Sequence, residues 1–132
     1  RVLDALEILQ PMMAELRKST TPVALMVTAL HAKTLIQMGD TGVALDELDW
    51  VLSHIKTANE CTQCIASWRT RLELDARIER ARILAADERA DEALRALLAS
   101  QQYAIAELGP TDPDTLRVSL EYANLLRDAG KP

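Results

Sequence analysis

An all-α fold of about six helices is what the amino-acid sequence predicts, and three observations predict it. Aromatic residues are scarce, with two Trp, two Tyr and no Phe, while about half of the chain is apolar through Ala, Leu, Ile, Val and Met. Such side chains lose little rotamer freedom in a helix, whereas sheets draw on aromatic and β-branched residues. Second, apolar residues recur at helical spacing in six segments separated by short turn signals. Third, alternate segments repeat one another, as paired helices in an array do.

The segments follow in order. Residues 2–17 place Leu3, Leu6, Leu9, Met13 and Leu16 on one face, interrupted by Pro11, which removes a backbone donor and should kink the run. Ser19-Thr20-Thr21-Pro22 offers a hydroxyl cap ahead of a first-turn proline and opens a helix over 22–38, ended by Gly39-Asp40. A third helix is expected over 41–57. Asn59–Gln63 reads as a loop, and a long helix is expected over 62–86, with Ile65, Trp68, Leu72, Ile78, Ala81 and Leu84 among its apolar positions. Asp87-Glu88-Arg89 marks a turn, 90–108 a fifth helix ending at Gly109-Pro110, and 113–129 a last one capped by Thr111-Asp112-Pro113-Asp114. Short connections make successive helices antiparallel neighbours.

Ala5-Leu6-Glu7-Ile8-Leu9, Ala44-Leu45-Asp46-Glu47-Leu48 and Ala93-Leu94-Arg95-Ala96-Leu97 share one pattern, an Ala-Leu pair with a second Leu three residues later. In the intervening helices Ala32, Ala81 and Ala123 each stand three residues before a leucine, Leu35, Leu84 and Leu126. Small residues at matched places let two helix backbones approach while the leucines fill the gap between layers. The expected architecture is an α-solenoid of antiparallel hairpins in one repeat domain over 1–132.

This arrangement resembles the tetratricopeptide repeat. The stretch from Leu108-Gly109-Pro110-Thr111-Asp112-Pro113-Asp114-Thr115-Leu116 to Tyr122-Ala123-Asn124-Leu125-Leu126-Arg127-Asp128-Ala129-Gly130 is similar to the longer subtype found in kinesin light chains and many bacterial signalling proteins. The resemblance implies a right-handed superhelix in which the first helix of each hairpin lines a concave, partner-binding surface. Those helices are 22–38, 62–86 and 113–129. The residues following their packing alanines, Lys33, Arg82 and Asn124, are then candidate partner contacts, together with Gln37, Asp75, Glu79, Arg117 and Arg127. Lys33, Arg82 and Arg127 offer a basic line for an acidic peptide or terminal carboxylate, and the Asn124 amide can both donate to and accept from a peptide backbone. The competing reading of each is an ordinary solvated side chain bonded to its neighbours. The longer 62–86 helix departs from the family pattern by about two turns.

The remaining chemistry is sparse. Cys61-Thr62-Gln63-Cys64 can form a local disulfide, which would imply an oxidising compartment, or act as a redox pair; as a metal site it lacks two ligands. His31 and His54 lie on different helices, no Gly-x-Ser-x-Gly is present, and the four glycines fall at helix ends, so neither an enzyme nor a cofactor is expected. The net charge of −5 is even along the chain: residues 1–66 hold five basic and eight acidic side chains, residues 67–132 ten and twelve. No basic face for nucleic acid and no membrane-spanning run is expected. The chain opens inside an apolar-periodic stretch and reads as a piece of a longer protein. Its last helix is expected to expose Leu116, Leu120 and Leu125, which another helix would cover or through which the piece would self-associate. The expected role is a protein- or peptide-binding scaffold of a signalling or transcriptional regulatory protein, cytoplasmic by slight preference; the alternative is a ligand- or redox-responsive sensor using Cys61 and Cys64.

Overall fold

The structure, a computed structural model, describes residues 1–130, which are helical with intervening turns and hold no strand. Where the sequence predicts one repeat domain, the backbone gathers into two compact units, Arg1–Arg69 and the residues from Thr70 onward.

In the first unit α1 (Val2–Leu9) passes into a 3-10 turn at Gln10–Met12 and a short α2 (Met13–Leu16). Pro11 stands in that turn, where its missing N–H breaks the ladder. α3 (Pro22–Gln37) starts at an extended Thr21 whose hydroxyl accepts from the Ala24 N–H at 3.2 Å. It ends where Gly39 turns left-handed, at φ +85°, so that the Asp40 N–H reaches back to the Leu35 carbonyl at 2.9 Å. α4 (Thr41–His54) then packs along α3, with α1 on α3 as well. Leu25, Ala32, Ala44, Leu48, Val51 and Ile55 are buried in this unit.

The helix expected over 62–86 is shorter than its sequence reading. α5 spans Trp68–Ala86, and 62–67 forms turns in which Ile65 is exposed. Ser67 stops the helix from extending backwards, because it adopts a left-handed conformation at φ +62°. Before it, Cys61 is bonded to Cys64 within the turns. The additional residues therefore lengthen the connection rather than the helix. α4 likewise ends at His54, before the expected 57. Trp68 is buried, and the Arg69 guanidinium stacks on its ring, donates to the carbonyls of Ile55 and Ala58 and thereby holds the connecting segment.

In the second unit α5 is followed by α6 (Ala90–Leu108) and α7 (Pro113–Asp128). Leu74, Ile78, Ala81 and Leu84 of α5 form one buried cluster with Ala93, Leu97 and Ala104 of α6 and Val118 of α7. α6 and α7 are antiparallel: Ala104 accepts from the Thr115 hydroxyl, and Gln101 donates to Ser119 at 2.9 Å. The α5–α6 turn repeats the α3–α4 turn. Glu88, at φ +60°, stands where Gly39 does, and the Arg89 N–H bonds the Leu84 carbonyl at 2.9 Å.

Two expectations for α7 need correction. Leu125 packs against the buried cluster instead of joining Leu116 and Leu120 at the surface. Ala123, expected at a close helix contact like Ala32 and Ala81, is exposed because no helix of the described residues covers that side of α7.

Candidate functional site

α5 and α7 face each other through charged side chains. Arg71 donates to Asp112 at 2.9 Å through each of two nitrogens and to Asp114 at 2.7 Å. Further along, Arg117 donates to Asp75 at 3.0 Å, and Arg82 bonds both Glu121 and, at 3.1 Å, Glu79. The contacts advance in the same direction on both helices, so α5 and α7 run parallel. These pairs account for the electrostatics. Hydrogen bonds from Asp112 and Asp114 raise the Arg71 pKa, and the Arg71 hydrogen bond, with the Asp114 N–H, holds the Asp112 carboxyl below the ordinary carboxylate value. The Arg82 pKa is raised chiefly by Glu121.

Above the Arg82–Glu121 pair a pocket of about 170 Å³ opens. Its apolar wall comes from Ala81, Ala85, Leu97 and Leu125, and its polar rim from Arg82, Glu121, Asn124 and Asp128. A small residue on α5 creates the space: the half-buried Ala85, one turn after the buried Ala81, leaves room that a larger side chain would fill. Such a cavity can take one aliphatic side chain, with a backbone amide of its owner laid beside Asn124.

Of the residues singled out from the sequence, Arg82 and Asn124 come together on this pocket. Asp75, Glu79 and Arg117 belong to the ion-pair ladder, so their charges meet partners within the unit, and Glu79 is buried. Arg127 is exposed and lies 3.4 Å from the neighbouring Asp128 carboxylate. Lys33 and Gln37 lie on α3 in the first unit, half-buried and exposed respectively. Arg82 is thus no bare cation; a ligand meets a guanidinium already matched by two carboxylates.

A buried polar cluster in the first unit went unread in the sequence. His31 Nδ1 lies 2.6 and 2.8 Å from the two Glu47 carboxylate oxygens, and its Nε2 lies 2.8 Å from the Gln10 amide oxygen. Burial raises the Glu47 pKa, and the hydrogen bond and charge of His31 oppose that rise. With both ring nitrogens engaged, the cluster ties the 3-10 turn after α1 to α3 and α4. The available signal was that Glu47 stands among apolar residues on α4, one residue before Leu48. Elsewhere, no group of three or more His, Cys, Asp or Glu among the described residues could hold a metal ion, and no described helix is long and apolar enough to cross a membrane.

No protein-family model, curated protein or solved structure matches the chain.

Proposed function

We propose that this chain is a protein–protein interaction module, a right-handed α-solenoid of tetratricopeptide type that holds a polypeptide partner along α5 and α7 as part of a signalling or regulatory protein. Support for the solenoid comes from the second unit, where α5 and α7 are parallel and α6 runs back between their ends, and from the like turns at Gly39 and Glu88. The observation that carries the binding role is the pocket in which Arg82 and Asn124 rim an apolar wall of Ala81, Ala85, Leu97 and Leu125. Its partner is a peptide with one large aliphatic side chain as anchor. Asn124 bonds the backbone, and the Arg82–Glu121 pair accepts a polar neighbour at either charge.

A displayed library of random peptides, selected on the wild-type chain, tests this reading. A consensus built on a single Leu, Ile or Met is expected. Its affinity should fall about tenfold or more for Ala85→Leu, which fills the pocket, and for Asn124→Ala, which removes the amide. Selection without a consensus, or equal binding by Ala85→Leu, would defeat the assignment.

A further inference from the structure

Cys61 and Cys64 are the two cysteines of the chain, and they are bonded to each other across two intervening residues. They stand in the connection from α4 to α5, where both are half-buried and the other residues of 59–67 are exposed. Solutes therefore reach the bond.

What fixes that connection lies to either side of the bond. Ahead of it Ile55 and Ala58 are buried, and the Arg69 guanidinium donates to their carbonyls and, at 3.1 Å, to the Glu60 carboxylate. After it Trp68 is buried, with Arg69 stacked on its ring. The bond joins residues that already meet in a turn, closed from the Cys64 N–H to the Cys61 carbonyl at 3.4 Å. A cross-link stabilises a fold least when the loop that it closes is short, and this one ties no helix to another. Accessible disulfides of little structural consequence are the ones that exchange. Cys-x-x-Cys spacing supplies the rest of the chemistry: it favours the thiolate, and a stable thiolate leaves a disulfide readily. The freed sulfurs also stay within reach of each other, and no third cysteine of the chain competes for them.

We propose that Cys61–Cys64 is a reversible thiol–disulfide exchange site, whose substrates are thiols that reach the α4–α5 connection. A thiolate attacks one sulfur of the pair, forms a mixed disulfide with it and expels the other sulfur as a thiolate. A second thiolate then attacks the mixed disulfide at the sulfur of the first incoming thiol. The two incoming groups leave joined to each other, and Cys61 and Cys64 remain reduced. Two electrons pass to the pair from the two thiols, whose protons end on the cysteine sulfurs. The site lies in the first unit, apart from the peptide pocket, so either reading can fail alone.

Reduced and oxidised glutathione, mixed in varied ratio with the folded full chain, test it. Alkylation of free thiols followed by mass spectrometry gives the readout. Reduced thioredoxin in place of glutathione forms a second arm, and the faster arm identifies a small or a protein thiol as the better substrate. The pair should pass from closed to open as the ratio of reduced to oxidised glutathione rises, and oxidised glutathione should close it again. Opening should need no denaturant and should match the rate in the urea-unfolded chain. Circular dichroism should show the helix content retained in the opened form, as in Cys61→Ser/Cys64→Ser. A bond that stays closed in both arms until urea is added would overturn the proposal. Loss of helix on opening would overturn it too, because the bond is then a structural staple, and so would failure to reclose.

Discussion

His31 and Glu47 illustrate how one buried pair constrains a hairpin. Both are nearly inaccessible, and the carboxylate meets the ring through both oxygens. Removing one partner strands the other without water, so Glu47→Ala is expected to cost about 3–5 kcal/mol, measured by urea unfolding. Glu47→Gln retains an acceptor and should cost less. Asp112 has the opposite setting, near the surface beside Arg71. Its carboxyl titrates below 3.8 in the folded chain, so the stability that it contributes is present above that value and is lost as pH falls through the lower folded value. Asp112→Asn preserves the hydrogen bond from the Asp114 N–H that caps α7 but removes the charge. The variant should therefore show less loss of stability than wild type as pH falls below the ordinary carboxylate range, followed by thermal unfolding monitored by circular dichroism.

Among the elements, the turns carry the most information. The α3–α4 and α5–α6 connections use the same left-handed residue after the helix, Gly39 in one and Glu88 in the other. A side chain at that conformation strains the backbone, so Glu88→Gly is expected to stabilise the chain by about 1 kcal/mol, seen as a higher urea midpoint with an unchanged slope. Gly39-Asp40 announced its turn in the sequence because glycine is the residue such a position selects. At 87–89 the matching offset from Ala81 and Leu84 gave the same information. Ser67 carries no such signal: a serine is an ordinary helix-start residue, and helical periodicity continues through Ile65 on paper. α5 therefore starts six residues later than apolar spacing predicts, since the left-handed Ser67 cannot be inferred from that spacing.

For the molecule as a whole, the recurrent alanines were legible because close helix packing restricts side-chain volume. Ala32, Ala44, Ala81 and Ala93 are all buried. Ala81→Leu should overpack the α5–α6 contact at a cost of about 1–3 kcal/mol. Ala123→Leu, at the aligned but uncovered position, should change stability by less than about 0.5 kcal/mol in dilute solution. Comparing the two variants by chemical denaturation separates packing from mere repetition of sequence. The candidate contacts were less legible than the packing positions. Arg82 and Asn124 are candidates through the family resemblance, as the residues that follow a packing alanine, but whether a charged residue meets solvent or a carboxylate depends on the neighbouring helix. For Asp75 and Arg117 that neighbour supplied the answer. The α5–α7 ladder has one more consequence. Its signs alternate, with Arg71, Asp75 and Arg82 on one helix facing Asp112 and Asp114, Arg117 and Glu121 on the other. Sliding α7 by a single turn would bring Arg71 against Arg117 and Asp75 against Glu121. Such semi-exposed bridges add little to stability one by one, but like-charge repulsion at the first two positions and the lost partner of Arg82 at the third penalise that slide, so they select which of several equally greasy alignments the two helices adopt.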